Sequence, residues 1–246
     1  MVIREPSMLL EVSSGEYAIV LKLVNEELAS KLRKVLPFKA ELNLWKEEVY
    51  FEIPGSFQAA GRSVVKARRG GVYYWNPGRA LCVFYGISEP YSEVVEAGFL
   101  VGPSSMARRL PRGEAQIKEH VLAEELKAFV EQLAGRGFAA ATPRDQGEVV
   151  LAVSRESKGE LFSAVVCVED YGVYVESDGI FRYDESSNAV SYARMLKRYV
   201  QGLRWARVDL SEEGYLCITA AAPIDRLIEA IEEVEAAYSY AMLSLG

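Results

Sequence analysis

One histidine and three cysteines are spread over 246 residues, and this scarcity removes whole classes of chemistry at once. A Ser-His-Asp triad, a Cys-His pair or a zinc site would have to be built on His120 alone, and no serine or cysteine motif surrounds it. His120 therefore reads as an exposed linker residue. Cys82, Cys167 and Cys217 are an odd number, far apart, each inside an apolar run (ALCVF, VVCVE, YLCIT). That pattern predicts reduced, buried thiols that act as small hydrophobes in a cytoplasmic protein. No stretch reaches the roughly 18 uninterrupted apolar residues needed to cross a bilayer. The opening residues, MVIREPSMLLEVSSGEY, carry acids where a signal peptide carries an apolar run, so an uncleaved chain without membrane contact is expected. A glycine-rich phosphate loop is missing too: Gly70-Gly71 falls between strands and opens no helix.

What is present is enough apolar material, 50% of residues, to fill two cores, and a charge that is unevenly divided. Through Ala115 there are 15 Lys and Arg against 13 Asp and Glu, and from Gln116 onward 13 against 22. An acidic second half argues against nucleic acid as a partner, because phosphate binding needs a basic surplus on one face. Neighbouring acids such as Glu47/Glu48, Glu212/Glu213 and Glu232/Glu233 point in different directions along a helix or strand, and read as solvated charges.

Residues 16–102 alternate short apolar runs with Gly and Pro (EYAIVLKLV, EVYFEIPG, GVYYWNPG, ALCVFYG), a strand-and-turn pattern interrupted by one helix over 25–36, capped by Asn25 and stopped by Pro37. The text GPSSMARRLPRG at 102–113 predicts an interdomain linker. Beyond it, Ile117, Val121, Leu122, Leu126, Phe129, Val130 and Leu133 predict a helix that ends at Gly135 and Gly137. Strands follow at 148–154, 161–169 and 173–176. A helix over 189–203 is capped by Asn188 or Ser187. Strands at 205–210 and 215–221 come next, and a long helix opens at Pro223. The expected fold class is thus a mainly β domain over 1–112 and an α+β domain over 113–246, in the order α-β-β-β-α-β-β-α.

The segments NLWKEEVYFEIPG and GGVYYWNPGRALCVFYG resemble the small cyclophilin-like proteins of prokaryotes over residues 16–102. The most specific part is the aromatic pair Tyr74-Trp75, then Asn76-Pro77-Gly78, then a small apolar strand ending in Gly86. The family's tight Gly-Asp turn after the tryptophan is replaced by Lys46-Glu47 following Trp45. The resemblance implies a small closed β-barrel with a helix packed over an opening. The C-terminal element order is similar to YbjN-like and type III secretion chaperone-like proteins, which implies a sheet of about five strands with packed helices, and binding of protein segments or self-association.

Three functional readings follow. True cyclophilins isomerise proline with an arginine before an Ile-Pro-Gly-Phe stretch, and IPGSFQAAG echoes that run. The arginine position is filled by Phe51 or Glu52, however, and Arg62 lies past a different turn. A peptidyl-prolyl isomerase is therefore the alternative, and a non-catalytic binding or interaction module the main expectation, with no catalytic residue, metal or cofactor. The second reading places a small anionic ligand or a peptide at the barrel mouth, on Tyr74, Trp75, Asn76 and Arg79, presented together by the Pro77-Gly78 turn and flanked by Arg62, Lys66, Arg68 and Arg69. The third is assembly as a homodimer or with a protein partner through the C-terminal domain. Its final helix carries Tyr238, Tyr240, Met242, Leu243 and Leu245, more than one face can bury.

Overall fold

The computed structural model describes residues 8–55, 58–157 and 159–245. The chain divides into two compact units, one comprising residues up to Lys127 with Ala141–Val149, the other Ala128–Ala140 with Val150 onward.

In the first unit the strands are β1 (Met8–Ser14), β2 (Tyr17–Leu23), β3 (Phe38–Trp45), β4 (Glu48–Glu52), β5 (Ser63–Val64), β6 (Gly71–Trp75), β7 (Ala80–Phe84), β8 (Val94–Val101) and β9 (Gly113–Glu119). The helices are α1 (Glu26–Arg33) and α2 (Ser104–Arg109). Eight strands close on themselves in the order β2-β1-β9-β3-β4-β7-β6-β8 and back to β2, all antiparallel, with β5 added at β8.

Residues that face each other across a ladder share a side of the sheet, so the register can be followed around the ring. Leu10 faces Leu21, which faces Leu100. On β8, Gly98 faces Val72, and past an irregularity at Val72/Tyr73, Val95 faces Tyr74. Tyr74 faces Leu81, Leu81 faces Phe51, and Val49 faces Leu44. Phe38 faces Ile117, and Ile117 returns to Val12 beside the start. This circuit is the barrel interior, and Leu10, Val12, Leu21, Leu100, Val72, Tyr74, Leu81, Phe51, Val49 and Ile117 are each at most 2% exposed. An eight-stranded barrel is just wide enough to be filled by its own side chains. A side chain on Gly98 would place Cβ 1.9 Å from the Lys22 carbonyl oxygen, so β8 can lean against β2 only with glycine there.

Two expectations are corrected here. Residues 102–113 are not a linker: they form α2 and lead into β9, which pairs with β1 and β3 and so completes the ring. Ile117 consequently belongs to a strand, and the helix that was to start there begins later, as α3 (Lys127–Gly135). The helical spacing of Ile117 and Val121 was accidental. Ala115 and Ile117, two apart, fill the interior, whereas Val121 is 79% exposed.

After α3 come β10 (Ala139–Ala141), the two-residue hairpin strands β11 (Arg144–Asp145) and β12 (Glu148–Val149), β13 (Leu151–Ser157), β14 (Glu160–Glu169), β15 (Gly172–Ser177), β16 (Phe181–Arg182), α4 (Ser187–Val200), β17 (Ala206–Leu210), β18 (Tyr215–Ala222) and α5 (Leu227–Leu245). The second unit holds a seven-stranded sheet, β10-β13-β14-β15-β18-β16 with β17 also on β18. Its long helix α5 lies against β14, β15, β17 and β18, and α4 packs on β17. Ser186, one residue before the expected caps, accepts from the Ala189 N–H at 3.2 Å. Glu235 on α5 is 7% exposed and is bound by the Arg155 guanidinium of β13 through both oxygens. The same guanidinium lies 4.0 Å from the Phe138 ring centroid. Glu232 and Glu233 indeed diverge. Glu232 meets Arg136 at 3.7 Å, and Glu233 accepts the backbone N–H groups of Arg204, Trp205 and Ala206. Cys167 corrects another expectation: on the outward side of β14 it is exposed, while Cys82 and Cys217 are buried. Among the described residues, no helix is long and apolar enough to cross a membrane.

Candidate functional site

The strand alternation that fills the barrel also decides what its outer face carries. Opposite Tyr74 and Leu81, the outward residues of β4, β7 and β6 are Glu48, Tyr50, Cys82, Phe84, Tyr73 and Trp75, because Cys82 faces both Tyr50 and Tyr73, and Phe84 faces Glu48. An outer face should be polar, but this one is apolar and covered. Tyr73, Ala80, Cys82, Phe84 and Val94 form a second, smaller core with Tyr50, Val64, Ala67 and Trp75 against it. Into it opens a cavity of about 180 Å³, lined by Trp45, Glu48, Tyr50, Trp75, Cys82, Phe84, Pro90, Tyr91 and Val94.

The cavity's walls are held by backbone and hydroxyl groups. Trp75 Nε1 donates to Ser92 Oγ at 2.8 Å, which ties the ring to the β7–β8 loop. That loop is in turn fastened to the β3–β4 turn: Ile87 N–H donates to the Glu47 carboxylate at 2.8 Å, and Tyr85 N–H to the Glu47 carbonyl at 2.9 Å. Tyr91 meets Trp45 edge-on at 6.5 Å between centroids. Lys46, at the tip of the turn, has φ +53, and its ammonium sits 4.3 Å from the Trp45 centroid. The turn after Trp45 is thus closed by a lysine in the left-handed region.

The polar groups inside are Glu48 and Cys82. Glu48 is 6% exposed, so the expectation that it is a solvated charge is overturned. Burial pushes its carboxyl above the ordinary range, against the opposing hydrogen bond from the Cys82 thiol. Burial and the neighbouring Glu48 push the Cys82 thiol well up, which favours its protonated form.

The four residues expected at a common barrel mouth are not brought together. Tyr74 is 1% exposed inside the barrel, because neighbours on a strand point to opposite sides. Trp75 alone reaches the cavity. Asn76 is structural: its Oδ1 accepts from Ala59 N–H at 2.8 Å, and its Nδ2 donates to the Ala59 carbonyl at 3.2 Å. Arg79 has φ +50 and is directed toward Glu52, 3.9 Å away at the surface. Arg62 pairs with Glu96 at 3.5 Å and does not line the cavity. Of the Ile53-Pro54-Gly55-Ser56-Phe57 echo, Ser56 and Phe57 lie outside the described residues.

A second buried polar cluster lies elsewhere on this unit. The His120 side chain is 1% exposed, not an exposed linker residue. A backbone N–H can only donate, so the Thr142 N–H, 3.1 Å from Nε2, makes Nε2 the acceptor. Nδ1 then carries the proton and donates to Glu11 at 2.8 Å. Thr142 Oγ1 accepts from Ala123 N–H at 2.9 Å. Nothing in the sequence around His120 signals this, because its partners are 109 and 22 residues away.

Residues 8–118 match the cyclophilin-like family model. That match takes in β1 through β9, the whole ring. The hypothetical protein AF2241 from Archaeoglobus fulgidus, known from a solution structure, is similar at 24% identity and TM-score 0.41, over 48% of this chain and 98% of that one. A structure of McbB in complex with tryptophan is similar at 18% identity and TM-score 0.38, over 46% of this chain and 45% of that one. No curated protein matches the chain.

Proposed function

We propose that the cyclophilin-like barrel is a non-catalytic binding module whose ligand enters the outer-face cavity beside β4, β6 and β7. The observation that carries this reading is five aromatic rings, Trp45, Tyr50, Trp75, Phe84 and Tyr91, around one cavity, with Trp75 anchored by Ser92. Rings held in advance lose little freedom when a ligand arrives. The reading is supported by the chemistry beside it: a thiol whose protonated form is favoured, and no arginine among the described residues of the lining. Anionic ligands, expected on Arg79, fit this cavity poorly because its ionisable wall is a carboxylate.

The two compact units are read as separate domains of a cytoplasmic protein. For the second we propose an α+β interaction module of the YbjN-like and type III secretion chaperone-like kind, which pairs with another protein or a second copy. Support comes from α5 packed on an antiparallel sheet, the acidic surplus of this half, and Leu243 and Leu245 exposed at 75% and 49%.

The barrel reading is tested by nuclear magnetic resonance on the full chain. Small aromatic and aliphatic fragments should move the indole N–H signals of Trp45 and Trp75, leave Trp205 still, and lose their effect in Trp75→Ala. A fragment set that leaves both indoles unmoved at millimolar concentration would remove the proposal.

A further inference from the structure

The cavity contains a contradiction that its own residues do not resolve. A carboxylate is worth burying only with a counter-charge, because transfer of an ionised group out of water costs many kcal/mol. Glu48 is buried, yet among the described residues no cation pairs with it, and its hydrogen-bond partner is the weak donor Cys82. The surroundings worsen the position of an anion, since the faces of Trp, Tyr and Phe rings carry negative potential. That potential attracts a cation. A ring of this cluster already holds one, the Lys46 ammonium over Trp45.

Resting on the binding reading above, we propose that the cavity takes an alkylated ammonium group, with Glu48 as its counter-ion and Tyr50, Trp75 and Tyr91 as its cage. Three alternatives fit less well. A divalent metal wants about six oxygen ligands, and the lining offers one carboxylate and two phenols. A primary ammonium needs three acceptors gathered around one nitrogen, and most of this lining, Trp45, Trp75, Phe84, Pro90 and Val94, accepts no hydrogen bond. A guanidinium has five donors to satisfy. A quaternary nitrogen has no N–H at all: its methyl groups meet the rings, and its diffuse charge meets Glu48. The cavity volume of about 180 Å³ suits such a headgroup.

The deciding experiment compares choline with 3,3-dimethylbutan-1-ol, which has the same shape with carbon in place of nitrogen, by titration calorimetry and the Trp75 indole signal of the full chain. Choline should bind at least about tenfold more tightly than the alcohol. Glu48→Gln, which keeps the shape and removes the charge, should erase most of that difference. Circular dichroism and the melting temperature of Glu48→Gln establish that it folds; relieved of a buried charge, it should melt no lower than the parent. Trp75→Ala should weaken both compounds. Equal binding of choline and the alcohol, or binding of neutral fragments without choline, would overturn the cation assignment and leave the binding module standing. Silence of the indole signals toward every compound would take both down. A short peptide carrying trimethyllysine, run beside choline, distinguishes a side-chain headgroup from a free one by which of the two binds more tightly.

Discussion

Trp75 and Gly78 illustrate what a three-residue spacing can mean at the scale of single side chains. A Cβ on Gly78 would lie 2.3 Å from two carbons of the Trp75 indole, so the ring lies flat over the turn because nothing projects there. Asn76, between them, spends its amide on both backbone groups of Ala59 and so holds the neighbouring loop. The Trp-Asn-Pro-Gly run is therefore a device for placing one indole. Replacing Gly78 by alanine should push the indole off its seat, lower stability by roughly 1–3 kcal/mol in urea denaturation, as overpacking does, and shift the Trp75 indole signal as its bond to Ser92 is lost. Gly135→Ala is the control. No atom lies within 4 Å of its added Cβ, and it should be neutral or slightly stabilising. If both variants behave alike, the placement argument fails.

At the scale of elements, β1 and the segment around Thr142 are joined by one buried histidine rather than by a ladder. Although burial raises Glu11, hydrogen bonds from His120 and Lys118 prevail and hold its carboxyl below the ordinary value of 4.5. A carboxyl depressed on folding stabilises the protein above its unfolded pKa, and that contribution is lost as pH falls through the lower folded value. Acid titration of stability should therefore show a falling limb that starts near pH 4.5. His120→Ala should partly flatten that limb and cost about 1–3 kcal/mol at neutral pH, since it leaves Glu11 with Lys118 alone and strands the Thr142 N–H. A limb unchanged in the variant would detach Glu11 from the histidine. None of this was legible in the sequence, where His120 follows a strand and precedes no motif. Much of the strand pattern was. The apolar runs of β2, β4, β6 and β7 are where alternation and turn residues put them, and the Asn25 cap accepts from Leu28 N–H at 3.0 Å. The candidate site was half legible. Trp75 could be singled out as an aromatic beside a turn. Grouping it with Tyr74 ignored the period of two, and reading Glu48 as solvated ignored that an outer strand face can be covered by a loop from 40 residues away.

For the molecule as a whole, a cyclophilin-like barrel raises the question of proline isomerisation. Such a catalyst must stabilise the twisted amide, whose uncatalysed barrier is about 18–20 kcal/mol, and a guanidinium aimed at the peptide is the natural means. Here the cavity wall carries a carboxylate and, among the described residues, no guanidinium, and Arg62 is engaged with Glu96 at the surface. The full chain should leave the cis–trans relaxation of a proline peptide at its spontaneous rate. Acceleration that Arg62→Ala abolishes would reverse this reading. The ring itself has another consequence. Because β9 is inserted between β1 and β3, a fragment stopped at Arg112 would be an unrolled sheet of the seven other ring strands, with β5 still on β8, and its raw borders at β1 and β3 would each be a template for sticking to its copies. The barrel becomes a self-contained object only when its last stave is included, so a cut made ahead of Gly113 leaves it open.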